Sequence, residues 1–176
     1  MRWSVHGEET LYQSAWVELH LADVELPDGQ RFGHHLVRVP FPAAGVVVSD
    51  RSRGVLLLWR HRFITDTWGW EIPAGRIEAG ESLIEGAGRE VLEETGWRPG
   101  PLRKLTTYHP SNGLSDQTFH LFIADGALEA GTPTDWWESS RVEWVSHAQL
   151  RDEICAGRVT DGLSLTALCW CYAFDW

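Results

Sequence analysis

The chain has 176 residues, 43% of them apolar and 23% charged, and a formal net charge of -10 at pH 7. That length and balance suit one globular domain that can bury a core without disulfide staples, with room for a small N-terminal extension. The acidic surplus excludes a non-specific nucleic-acid binder, which needs a basic face, but allows a phosphate-bearing substrate if divalent cations stand in the site.

Residues 1–10 are polar and contain no apolar core of a signal peptide. Residues 14–26 read as a strand, with Trp16, Glu18 and His20 alternating against Val17, Leu19 and Leu21. Pro27-Asp28-Gly29 is a turn, and residues 32–39 return as a second strand, so a hairpin is expected. Residues 44–49 and 54–59 form another strand pair around Asp50-Arg51-Ser52-Arg53, and the run Val55-Leu56-Leu57-Leu58 predicts burial on both faces. Residues 69–80, rich in Gly and carrying Pro73, read as a structured loop.

Residues 82–95 read as a helix. Ser82 and Glu85 make a capping box, Gly96 is the stop, and Leu83, Ala87 and Val91 at i, i+4, i+8 form the buried stripe. Residues 102–109, 117–124 and 141–145 read as strands. Ser146 then caps a helix to about residue 156, and Asp161 a last one to about residue 174. Strands around one central helix, with helices closing the chain, predict a mixed α+β or α/β sandwich. No internal repeat is present, and no G-x-G-x-x-G follows a strand.

The three cysteines, Cys155, Cys169 and Cys171, are odd in number and lack a C-x-x-C pairing, which argues for a reducing cytoplasm over a disulfide framework or a zinc site. Cys169 and Cys171 sit in an apolar segment and read as core fillers. That segment is too short to span a bilayer, so no membrane association is expected.

Chemistry concentrates in residues 75–97. Glu90, Glu93 and Glu94 fall at i, i+3, i+4 and share one helix face, where like charges repel. They also occupy the last turns, where the helix dipole disfavours anions. A solvated acidic face paired by Arg89 is the usual meaning of an isolated E-x-x-E. A divalent cation is the alternative, because Mg²⁺ or Mn²⁺ takes carboxylate oxygens and bridges to substrate phosphates.

The surrounding residues decide between them. Gly75, Glu81, Arg89-Glu90-Val91, Glu93-Glu94 and Gly96-Trp97 match G-x5-E-x7-R-E-U-x-E-E-x-G-U at every fixed position, U being a bulky apolar residue. Chance agreement is on the order of one in a billion windows at average residue usage. The segment is identified as a Nudix box, with Trp97 standing where a smaller aliphatic side chain is more usual. Residues 70–78 and 108–116 resemble the corresponding segments of ADP-ribose pyrophosphatases and other nucleoside diphosphate sugar hydrolases.

That resemblance implies a Nudix α/β/α sandwich, with residues 1–40 an N-terminal β-strand region used for dimerisation and residues 41–176 the Nudix hydrolase domain. It implies metal-dependent cleavage of a diphosphate, ADP-ribose or a related nucleotide sugar first, to a nucleoside monophosphate and a sugar phosphate. By the same resemblance Glu90, Glu93 and Glu94 hold Mg²⁺ or Mn²⁺, together with Glu81 and the backbone carbonyl of Ala74. Arg89 organises the box carboxylates. Glu138, on the loop 132–140, is the candidate general base, with Glu93 and Arg89 the other candidate catalytic residues. Arg60, Glu71, Pro110, Ser115 and Asp116 are candidate substrate contacts, and the partners expected are the substrate and a second copy of the chain. Two other readings stand beside this one: a nucleoside triphosphate pyrophosphohydrolase and a Nudix domain that only senses its ligand.

Overall fold

The computed structural model of the chain describes residues 1–174, which gather into two compact units. The first unit comprises Met1–Pro42 with His109–Thr118; the second comprises Ala43–Tyr108 and the chain from Phe119 onward.

The first unit is an antiparallel three-stranded sheet of β1 (Ser4–Gln13), β2 (Glu18–Glu25) and β3 (Arg31–Arg38), in the order β1-β2-β3. The expected hairpin is β2–β3, paired from Glu18↔Arg38 to Glu25↔Arg31. Residues 14–17 are not strand as expected. They form a tight turn in which Ser14 Oγ accepts from the Trp16 and Val17 amides at 3.2 and 3.1 Å. Strand β1 had no signature in sequence, because all ten of its positions are exposed and no face selects apolar residues. Segment 109–118 is tied to β3 by the Val37 amide donating to the Leu114 carbonyl (2.8 Å) and by Asp116, whose carboxylate accepts from the Val39 amide (2.9 Å).

The second unit is built on a mixed sheet. Strands β4 (Ala43–Asp50), β5 (Gly54–Arg62), β9 (Leu102–Tyr108), β10 (Phe119–Asp125) and β12 (Arg141–Val145) run in the order β12-β5-β4-β10-β9. Two short strands, β6 (Thr67–Glu71) on β5 and β7 (Ala74–Arg76) on β4, flank it. Both lie in or against the stretch expected to be a loop. Gly69, Pro73 and Gly75 hide them from a propensity reading, yet Leu58↔Glu71 and Gly45↔Ala74 are paired. Strands β8 (Trp97–Pro99) and β11 (Ala127–Glu129) add a two-stranded ribbon.

Alternation through the central strands sorts the core into two layers. Val46, Val48, Leu56, Phe122 and Ala124 face α1 (Leu83–Thr95), meeting Ala87 and Val91. Val47, Val55, Leu57, Leu121 and Ile123 face the opposite layer of α2 (His147–Cys155) and α3 (Gly162–Ala173), meeting Leu150, Leu163, Ala167, Leu168 and Cys171. Val55 to Leu58 are buried on both faces, as their unbroken apolar run requires. The result is an α/β/α sandwich. Cys171 fills the core, but Cys169 is exposed: on α3 the buried set follows 163, 164, 167, 168 and 171, which turns position 169 outward. Among the described residues no helix is long and apolar enough to cross a membrane.

Candidate active site

Helix α1 presents the box. Ser82 Oγ accepts from the Glu85 amide while the Glu85 carboxylate accepts from the Ser82 amide, and Gly96 closes the helix at φ 74° with its amide on the Leu92 carbonyl. Between these caps Ala87 and Val91 are pinned to the sheet, so Glu90 and Glu94, one position from that stripe, are driven toward β7.

Glu94 is buried, and its two oxygens are separately engaged. Oε1 accepts from Arg60 Nη2 at 2.6 Å and Oε2 accepts from the Ala74 amide at 2.8 Å. Burial pushes its carboxyl up to about 7, against the opposing pull of the Arg60 guanidinium and the Ala74 amide. Glu90 packs on Gly75, where a Cβ would land on its carboxylate, so only glycine lets the side chain in. Burial raises Glu90 as well, with Arg89 opposing.

Arg89 gathers the remaining acids. Its Nη1 donates to Glu90 (2.9 Å) and Glu93 (2.8 Å), its Nη2 to Glu81 (2.8 Å) and to the Arg76 carbonyl (3.0 Å). These bonds hold Arg89 well above its ordinary range, Glu81 contributing most, and hold Glu81 below its own. The pairing by Arg89 is therefore real, but it extends across the helix start and the β7 backbone and is more than a surface ion pair.

Arg60 is the second organiser. It is buried on β5, within 3.7 Å of Glu138 and 3.8 Å of Glu71 in addition to its bond to Glu94, and its Nε is buried with no hydrogen-bond partner among the described residues. Glu71 is also buried, and both its oxygens are taken by Arg62, at 2.9 and 2.5 Å. Arg62 is a member of the site that the sequence did not reveal; its place two residues beyond Arg60 on the same strand was the only signal.

Loop 132–140 is anchored at both ends. Thr134 Oγ1 and the Asp135 amide donate to the Glu93 carbonyl at 3.4 and 3.1 Å, and the Ser140 amide and hydroxyl donate to the Trp59 carbonyl at 2.9 and 3.1 Å. Glu138 hangs between these anchors, half-exposed. The structure thus brings Ala74, Glu81, Glu90, Glu93, Glu94, Arg89, Arg60, Glu71 and Glu138 into one neighbourhood. Pro110, Ser115 and Asp116 belong to the other compact unit, where the Asp116 carboxylate is already bonded to Arg38 (3.3 Å) and to the Val39 amide.

The donor set fits a hard divalent cation. It offers carboxylate oxygens and backbone carbonyls with no thiol or imidazole among the described residues that compose it, and desolvation raises two of its acids, Glu90 and Glu94, against the pull of the arginines. Among the described residues no three Asp, Glu, His or Cys side chains form a ready metal cage; Arg89 and Arg60 are bonded to the acids. Residues that could bind a cation are Glu90, Glu93 and Glu94, with Glu81 and the Ala74 backbone beside them.

Residues 39–162 match the NUDIX domain, and residues 3–37 match the nucleoside diphosphate sugar hydrolase N-terminal domain. The chain is 40% identical, over 96% of its length and 82% of the relative's, to a CMP-5'-(N-acetyl-N-hydroxy-3-aminopropyl)phosphonate hydrolase of Streptomyces rubellomurinus. It is 32% identical to an ADP-ribose pyrophosphatase of Bacillus subtilis, over 68% of this chain and 64% of that one. A crystal structure of an ADP compounds hydrolase superposes with a TM-score of 0.86 at 19% identity, covering 99% of this chain and 94% of that one, which shows a shared fold. With the NUDIX domain spanning most of its length and the box carboxylates gathered against β7, the chain belongs to the Nudix hydrolase family.

Proposed function

We propose that the chain hydrolyses the phosphoanhydride joining a nucleoside monophosphate to a second phosphorus-bearing group, with ADP-ribose or a related nucleotide sugar as the first candidate and Mg²⁺ or Mn²⁺ as cofactor. The observation that carries this reading is the pairing of a nucleoside diphosphate sugar hydrolase N-terminal domain with a NUDIX domain in one chain. A nucleoside triphosphate pyrophosphohydrolase has no need of the first, and a ligand sensor has no need of the intact acids Glu90, Glu93 and Glu94.

Glu90, Glu93 and Glu94 would hold the cation, assisted by Glu81 and the Ala74 carbonyl. A bound divalent cation neutralises phosphate charge and lowers the pKa of water. Glu138 accepts the proton of the attacking water at a carboxylate oxygen. The water oxygen bonds to one phosphorus as the bridging P–O bond breaks, leaving two phosphate-bearing products. Arg60 holds Glu94 in place and keeps a buried positive charge beside Glu138. Arg89 keeps Glu81, Glu90 and Glu93 from repelling one another out of register. Arg60, Glu71, Pro110, Ser115 and Asp116 remain the proposed substrate contacts. Residues 1–40 are proposed to mediate a homodimer and residues 41–176 to carry the chemistry. A cytoplasmic setting fits the free Cys155, Cys169 and Cys171.

A second reading of the same chemistry rests on the 40% identity to the Streptomyces rubellomurinus enzyme: a substrate in which CMP is linked to a phosphonate. The test is a product assay with Mg²⁺ on ADP-ribose, other nucleotide sugars, a CMP-linked phosphonate and nucleoside triphosphates. AMP plus ribose 5-phosphate from ADP-ribose supports the first reading. Turnover of the CMP conjugate alone moves the substrate to the second, and no turnover with intact metal binding rejects both.

A further inference from the structure

Eleven tryptophans are many for this length, and the core absorbs only some of them. Trp70 is buried, and Trp97 and Trp144 clasp Arg53 at 5.0 and 4.1 Å. Three others face one cleft with wet rings: Trp68 on β6 is 51% exposed, and Trp136 and Trp137 on the loop 132–140 are 71% and 66% exposed. Leaving this much aromatic surface in water forgoes burial free energy, so one cleft lined by three such rings calls for an occupant.

The cleft measures about 640 Å³, within the range of small-molecule sites. Its Trp68 ring is braced by its neighbours. The ring stacks on Trp59 at an interplanar angle of 17° and leans on His61, with centroids 6.3 and 5.2 Å away, while Trp59 is itself packed at the core. Trp136 and Trp137, an edge-to-face pair, line the same cleft. Its lining includes Glu138, which lies 3.7 Å from Arg60, so the cleft adjoins the candidate active site.

The chemistry of the lining selects the occupant. Among the described residues no Arg or Lys lines the cleft, and His61 is turned to Asp66 at 3.0 Å, so the cleft itself offers a phosphate no cation. A sugar would lose water from several hydroxyls, and the cleft offers it little in return: the Ser140 hydroxyl already donates to the Trp59 carbonyl. A flat heteroaromatic ring loses least and gains aromatic surface to stack on.

We propose that this cleft, lined by Trp68, Trp136 and Trp137, receives the nucleobase of the substrate, placing the diphosphate toward Arg60. This rests on the nucleotide reading above. Because Trp136 and Trp137 directly precede Glu138, on a loop anchored at Thr134, Asp135 and Ser140, a base stacked there also bears on where Glu138 stands.

The test uses the full chain with Mg²⁺ and three variants: Trp68→Ala, Trp68→Phe, and the double variant Trp136→Ala/Trp137→Ala. Calorimetry measures binding of AMP, CMP and ribose 5-phosphate; steady-state assays on the substrate found active give kcat and KM separately; light scattering gives the oligomeric state. Stacking on one ring supports about a 5- to 150-fold loss on truncation to alanine. The expected result is a nucleotide affinity lowered, and a KM raised, at least about tenfold in Trp68→Ala. Trp68→Phe should restore most of both, and ribose 5-phosphate binding should not change. The double variant should lose nucleotide affinity and, through Glu138, kcat. Unchanged nucleotide affinity and KM in both alanine variants overturns the proposal. So does loss of ribose 5-phosphate binding alone, which assigns the cleft to the sugar, or a shift in oligomeric state with KM intact, which assigns it to a second copy. If the wild type turns over no nucleotide, the function fails independently. Nucleotide binding that Trp68→Ala abolishes would still uphold the cleft, and no nucleotide binding would reject it.

Discussion

Gly75→Ala probes the fit of helix α1 to β7. The added Cβ would fall on the carboxyl carbon and both oxygens of Glu90, a side chain hemmed in by Arg89, so the acid must leave its seat. Overpacking of this kind costs about 1–3 kcal/mol. At about 2–4 °C per kcal/mol for a chain of this size, the melting temperature should fall by roughly 2–12 °C. Displacing a proposed cation ligand should also lower divalent-cation affinity and reduce kcat on the order of a hundredfold, about 2.7 kcal/mol in the barrier. Scanning calorimetry and cation titration of four proteins test this: wild type, Gly75→Ala, Glu90→Ala and the double variant. In the Glu90→Ala background the methyl has room, so the stability cost of Gly75→Ala should shrink by more than half. Equal cost in both backgrounds, or wild-type turnover by Gly75→Ala, would refute the packing argument.

Other outcomes follow from the same geometry. Glu94→Gln should keep the fold by circular dichroism yet lose most cation binding and at least about a hundredfold in turnover, since it removes charge and little volume; wild-type rates at saturating Mg²⁺ would remove Glu94 from the ligand set. Glu94 ordinarily titrates at 4.5 and is raised to about 7 in the metal-free fold, so its contribution to stability is present below 4.5 and is lost as pH rises through about 7. Added Mg²⁺ should therefore raise the melting temperature more at pH 8 than at pH 6, a difference that Glu94→Gln should abolish. Glu138→Gln should flatten the acid limb of the pH–rate profile; an unaltered profile would move the base elsewhere. Thiol labelling of native protein should modify Cys155 and Cys169 readily and leave Cys171 unreacted, because burial pushes its thiol up to about 12; equal labelling of all three would contradict the packing of α3.

What the chain alone determined is local and periodic. The capping box at Ser82 and the stop at Gly96 bound α1, the stripe of Ala87 and Val91 oriented it, and the spacing of Glu90, Glu93 and Glu94 announced a shared acidic face. The unbroken run from Val55 to Leu58 announced a strand buried twice over. These signals survive because they depend on neighbours a few residues apart. The tertiary structure decided what depends on distant neighbours. Strand β1 exists only by pairing with β2, and β6 and β7 form against β5 and β4 despite their glycines and Pro73. Arg60 and Glu94, far apart in sequence, become a buried ion pair, and Arg62 takes both oxygens of Glu71. Trp68 and Trp136 share one cleft although they are far apart in the chain, because β12 returns the loop 132–140 to the edge of β5. No window of sequence holds such pairs, since sheet register and loop return, set by the burial of both core layers, bring them together.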